Sequence, residues 1–144
     1  YVVEEGKYGR LTVFAHFPNG CCTYASDLLA EYLVENGVAR ERIQLMNGEY
    51  TEYNYTHSWL MIDESMYLDI SADQFIGKTG FEIYGYIPKC CVVSCGTYIY
   101  VPFENGKFNA SRYFGIHSYS GDIPYKLREV YNEITLRLLS KKEM

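Results

Sequence analysis

The chain has 144 residues, enough for one domain with a sizeable core, and its 48% hydrophobic and 22% charged residues make an ordinary globular balance. A formal net charge of −5 argues against nucleic acid or an anionic membrane as partner; the densest basic group, Arg137, Lys141 and Lys142, reads as a solvated helix end. No apolar run approaches the roughly 20 residues needed to span a bilayer. No signal peptide is visible, and an odd count of five cysteines fits reduced thiols in the cytoplasm better than a disulfide framework.

Taken in chain order, GRLTVFAHF predicts a short strand that enters a turn at Pro18-Asn19-Gly20. Residues 22–36 read as a helix. Ala25, Leu28, Leu29, Tyr32 and Leu33 keep the i, i+3, i+4, i+7, i+8 spacing, and Asp27, Glu31 and Glu35 lie away from that stripe. Gly37 ends it as a C′ residue. IQLMN, residues 43–47, predicts a strand before Gly48. Residues 56–62 and 66–70 predict a β-hairpin around Asp63-Glu64-Ser65. FEIYGYI and TYIYVPF, within 81–103, predict two further strands with CCVVSC between them. Residues 122–139 predict the last helix, with Asp122 as cap, Pro124 in the first turn, and Leu127, Val130, Tyr131, Ile134 and Leu138 as its buried stripe. Without repeats or linkers, residues 1–144 read as a single α+β domain. Sixteen tyrosines suit its strands and half-wet surfaces.

The first helix begins with two thiols, Cys21 and Cys22. Unpaired N–H groups and the dipole at a helix N-terminus favour a thiolate there. His57 opens the first hairpin strand, and Asp69 lies near the end of the second. If the loop holds residues 63–65, Met66 pairs with Ile62 and Trp59 with Asp69. His57 and Asp69 then become diagonal neighbours on one face. A two-residue loop would put them on opposite faces. A thiol, an imidazole to take its proton, a carboxylate to orient the imidazole, and N–H donors for an oxyanion are what acyl transfer through cysteine requires. Each residue alone has a plainer reading: a small buried hydrophobe for Cys22, a strand histidine bonded to backbone for His57, a strand-end turn former for Asp69.

The runs GCCTYASDLLAEYLVENG, THSWLMID and LDISADQF together resemble the transglutaminase-like and papain-like cysteine enzymes. The likeness is closest to small bacterial members with an FP-G-x-C-x-x-x-S start and a D-I-[ST]-A-D-Q-F finish. It covers about residues 17–75. The resemblance implies a papain-like or transglutaminase-like α+β core: an N-terminal helix carrying the cysteine, packed on an antiparallel sheet, with a C-terminal helix added here. It also favours Cys22 over Cys21. The family places a small residue four positions after the nucleophile and the helix-ending Gly about fifteen after it; Cys22 gives Ser26 and Gly37, whereas Cys21 gives Ala25, also small, but puts Gly37 one residue too far. By the same resemblance His57 is the base and Asp69 its orienter. One departure is Met61, where transglutaminase-like members usually carry an acidic residue.

The implied activity is a thiol hydrolase or acyltransferase acting on amide bonds of a peptide or protein, needing no cofactor and no metal. Water resolves the acyl-enzyme in a peptidase, amidase or deamidase, and an amine does so in a transglutaminase-type transfer; hydrolysis is the first expectation, because water is always present. A different class stays open beside it, a catalytically inactive peptide- or protein-binding module of the same fold. His16 holds a spacing at which papain-like enzymes carry an oxyanion-hole Gln, but reads first as a surface strand residue. His117 reads as a surface loop residue, and Asp73-Gln74-Phe75 as a capped turn with Phe75 buried. Cys90, Cys91 and Cys95 invite a zinc-dependent interaction module, yet lack a second ligand pair; Val92-Val93 between them suggests a buried strand instead.

Overall fold

The structure, a computed structural model, describes residues 22–70, 75, 78, 80–81, 92–94 and 100–142. The first helix, α1 (Cys22–Glu35), stops where the sequence signals. Gly37 takes φ +99°, a left-handed conformation that costs a residue without Cβ little. The Val38 N–H reaches the Leu33 carbonyl at 2.9 Å and the Gly37 N–H the Val34 carbonyl at 3.2 Å, the paired closing bonds of a Schellman motif. A 3-10 turn at Arg40–Arg42 leads into β1 (Ile43–Tyr50). Then come β2 (Tyr55–Ile62), β3 (Met66–Leu68), β4 (Val92–Ser94), a one-turn helix α2 (Val101–Glu104), β5 (Lys107–Arg112), a 3-10 turn at Ile116–Ser118, and α3 (Ile123–Lys142).

The described strands form one antiparallel sheet in the order β4-β3-β2-β1-β5. Register and the two-residue side-chain period sort its faces. Ile43, Leu45 and Asn47 stand opposite Ile62, Leu60 and Ser58 on one face. Ala30, Leu29, Leu33 and Val34 of α1 pack there against Ile43, Leu60 and Ile62. Met46 opposite Trp59, with Tyr67 and Met61, lies on the other face, where Phe75, Phe81, Tyr100 and Phe103 complete an aromatic cluster. A further layer lies behind α1: Ala25 and Leu28 pack with Ile116, Leu127, Val130 and Tyr131. The molecule is thus α+β, with α1 between the sheet and α3.

The structure differs from the sequence expectations at several places. β1 does not stop before Gly48 but runs on to Tyr50. Gly48 is needed inside the strand because a Cβ there would sit 2.6 Å from the Cβ of Phe103. The hairpin loop is the three-residue one, with Ile62 paired to Met66 and positive φ at Asp63 and Glu64, but β3 ends at Leu68 and leaves Asp69 just past the ladder. The expected strand TYIYVPF is helical over its described end, where Pro102 suits the first turn of α2. β5 falls on KFNASR, where the sequence predicts no element; among the described strands it is a sheet edge, and every residue in it is exposed.

Leu138 is 43% exposed rather than part of the buried stripe. Tyr131 of α3 is level with Glu35 at the end of α1, so Leu138 extends past its partner. Asp27 and Glu31, off the apolar stripe as expected, are nevertheless buried, because α3 and the 3-10 turn before it cover that side of α1 as well. Residues 1–21, with His16 and Cys21, residues 82–91, Asp73, Gln74 and the three cysteines at 90, 91 and 95 lie outside the described residues; Val92–Ser94 between them is strand β4. Among the described residues no helix is long and apolar enough to cross a membrane, and no group of three or more His, Cys, Asp or Glu is arranged to hold a metal.

Candidate active site

Cys22 is the first residue of α1, where the dipole and free N–H groups favour negative charge. Two hydroxyls fix this turn against β2. Thr23 Oγ1 lies 3.0 Å from Ser58 Oγ, and Ser26 Oγ donates to the Ser58 carbonyl at 3.3 Å. Ser58 in turn hydrogen-bonds Asn47 across the β1–β2 ladder. The small residue one turn into the helix is therefore a fastener: Ser26 is buried at 3% exposure, and its bond holds the N-terminus beside the strand that carries the histidine.

His57 and Asp69 meet because of the hairpin register. His57 Nε2 lies 2.5 Å from Asp69 Oδ2, and both side chains are buried. With Nε2 on the carboxylate, Nδ1 is the ring nitrogen that remains, and Cys22 lies near enough to the imidazole for its hydrogen-bonding capacity and charge to act on the thiol. Cys22 stays partly exposed. The arrangement sets a thiol partly open to solvent in front of a buried imidazole and a buried carboxylate.

The surroundings are dry and aromatic. Trp59, two residues along the same strand face, stacks on the imidazole with centroids 5.5 Å apart and 22° between planes. Phe75 meets it edge-on at 4.9 Å, and Phe103 leans in at 5.6 Å. Gly48 lies directly opposite His57 in β1, and its missing side chain is what lets Phe103 approach. In such low-dielectric surroundings charges act on one another strongly.

The proton affinities shift accordingly. Burial alone would push the His57 imidazolium down, but the Asp69 charge and hydrogen bond, with a smaller contribution from Cys22, reverse this and raise it to about 9. For Cys22, burial opposes the thiolate. The hydrogen bond and charge of His57, then hydrogen bonds from the Ser58 backbone and side chain, outweigh burial and hold the thiol below its ordinary value. The two shifts are complementary: one favours the proton on the imidazole and the other favours the negative charge on sulfur.

Of the three residues singled out by sequence, all are described, and the structure brings their side chains together. His117 is exposed in the 3-10 turn at Ile116–Ser118, and Phe75 is buried against His57. Three residues at the site escape sequence reasoning. Ser58 is visible only as the x of His-x-Trp. Gly48 carries a signal, a lone glycine within a strand pattern. Tyr100 carries none: its hydroxyl donates to Asp69 Oδ2 at 2.9 Å from 31 residues further along the chain. A separate surface depression of about 330 Å3, lined by Glu41, Arg42, Gln44, Asp63 and Glu64, lies past the opposite end of β2 from His57. No family model matches the chain, and no curated protein or solved structure matches it either.

Proposed function

We propose that this chain is a thiol enzyme acting on an amide or related acyl bond of a peptide or protein, with a core of the transglutaminase-like or papain-like kind. The observation that carries the reading is the buried 2.5 Å contact of His57 Nε2 with Asp69, with Cys22 at the start of α1 near enough for the same imidazole to act on it. The order of the parts also supports it: thiol helix, histidine strand, then a carboxylate just past the next strand.

In this scheme the Cys22 sulfur attacks the carbonyl carbon and forms the C–S bond. The carbonyl oxygen takes the electron pair, and N–H groups at the start of α1 stabilise it. His57 hands its Nδ1 proton to the leaving nitrogen as the C–N bond breaks, which leaves a thioester and a neutral imidazole. Asp69 keeps the ring in place and supports its charged form through Nε2. Water, deprotonated by His57, then attacks the thioester and releases the acid and the thiol; an amine in its place yields a new amide. No cofactor enters these steps. The nucleophile must be reduced, which fits a cytoplasmic setting.

The test is alkylation of Cys22 by iodoacetamide from pH 4 to 9, the labelled residue being located by mass spectrometry, in the wild type and in His57→Ala. Fast labelling of Cys22 below pH 7 that vanishes with His57 supports the enzyme and justifies a substrate screen. A Cys22 that labels no faster than a free thiol sinks the reading and moves the inactive binding module ahead.

A further inference from the structure

We infer that Tyr100 is a positioning residue of this site: its phenol shares the one Asp69 oxygen that His57 uses, and so sets how firmly Asp69 holds the imidazolium. The inference rests on the thiol-enzyme reading for its consequence in catalysis, but its physical content concerns the Asp69–His57 pair alone.

Two donors meet on Asp69 Oδ2, His57 Nε2 at 2.5 Å and the Tyr100 hydroxyl at 2.9 Å. An oxygen that accepts two hydrogen bonds divides its negative charge between them. The phenol therefore does two things at once. It helps keep a deeply buried carboxylate ionised, because a hydrogen bond to the charged form favours that form. It also draws off part of the charge that would otherwise act on the imidazolium.

Tyr100 is itself held rigidly. It is 1% exposed, and its ring lies 4.8 Å from Trp59 and 4.9 Å from Tyr67, nearly parallel to the imidazole at 6.4 Å. A neighbouring phenol is directed elsewhere: the Tyr67 hydroxyl donates to Glu104 of α2 at 2.6 Å. Cys22 is a further titratable partner of His57. α2 begins just after Tyr100, so a helix with no reacting group of its own carries the part that tunes the pair.

The experiment compares wild type, Tyr100→Phe, and protein with 3-fluorotyrosine incorporated at Tyr100. The readouts are the pH profile of Cys22 alkylation and the ring-carbon NMR titration of His57. Loss of the phenol makes Asp69 more basic and leaves a larger share of its charge for the imidazolium. Both the acid and the alkaline midpoints then move up, by about one pH unit, a tenfold change in proton affinity of the size one charge-assisted hydrogen bond produces.

The fluorinated phenol is a stronger donor and moves both midpoints down. A role in packing alone gives a different result, a lower rate at every pH with the midpoints in place; that outcome, or a shift of the same sign in both proteins, overturns the inference. Phe keeps the ring, and circular dichroism with thermal melting checks folding. Should Tyr100→Phe not fold, the fluorotyrosine shift decides alone. If wild-type Cys22 proves inert, the enzyme reading fails, while the His57 titration still tests the role of Tyr100.

Discussion

Asp69 and Asp27 are equally buried, at 4% exposure each, yet they face opposite kinds of partner. Asp69 meets an imidazole and a phenol. Asp27 belongs to a row along the other side of α1, in which every acid meets a phenol. Tyr119 donates to Asp27, and Tyr131 to Glu35. Tyr113 donates to Glu31 at 2.7 Å and to the Asp27 carbonyl at 3.3 Å. Arg128 bridges Glu31 and Glu35 at 2.9 and 3.0 Å.

Burial and the facing carboxylates push all three phenols up, out of any range in which they would give away a proton. Burial pushes Asp27 up to about 6, against the pull of Tyr119; among the described residues its side chain has no ion pair, whereas Arg128 pairs with Glu31 and Glu35. The two regions differ in what their buried carboxylates face. An imidazole beside a carboxylate can carry a proton at neutral pH; a phenol can only hold the helix layers in register.

The largest expected effect breaks the reactive side. His57→Ala returns Cys22 toward a free thiol, so its alkylation rate at pH 6 should fall by about two orders of magnitude, measured by quantitative mass spectrometry. No comparable loss is expected from Tyr119→Phe, on the other side of α1.

The next test concerns Asp27. Its folded pKa lies above the unfolded value, so its contribution to stability is full below about 4, where both states are protonated, and is lost as pH rises through about 6. Asp27→Asn keeps an acceptor for Tyr119 without the charge. Relative to wild type it should gain about 2–3 kcal/mol between pH 4 and pH 7, read from urea melts at each pH. A parallel pair of stability curves would show that Asp27 is not the titrating group.

Gly48→Ala probes the aromatic side. The added carbon meets Phe103 at 2.6 Å and forces overpacking, for an expected loss of about 2 kcal/mol in denaturant melts. Because Phe103 leans on His57, the same variant should also slow Cys22 alkylation. The smallest effect belongs to Tyr131→Phe, which removes one hydrogen bond to the exposed Glu35 and should cost about 0.5–1 kcal/mol in thermal melts, with Cys22 reactivity unchanged.

Much of the site was legible in the sequence because its determinants are local. The apolar spacing and Gly37 set α1 from Cys22 onward. The length of one loop set a register, and that register alone made His57 and Asp69 neighbours. What the sequence could not decide was which residues arrive from elsewhere. Tyr100 reaches Asp69 through a turn that had read as strand, since its aromatic pattern suits either state until packing chooses. β5 is short and exposed throughout, so it buries no face, and pairing with β1 is what makes it a strand.

The acids of α1 carry the same lesson. Helical periodicity marks the face turned to the first partner, and Asp27 and Glu31 correctly fall outside it. Their burial was decided by a second layer, α3 and the turn before it, whose tyrosines supply the hydrogen bonds that make buried carboxylates tolerable. Short-range spacing thus determined where the thiol, the imidazole and the carboxylate would stand. Only the packed layers decided how dry their surroundings are and who else shares the proton.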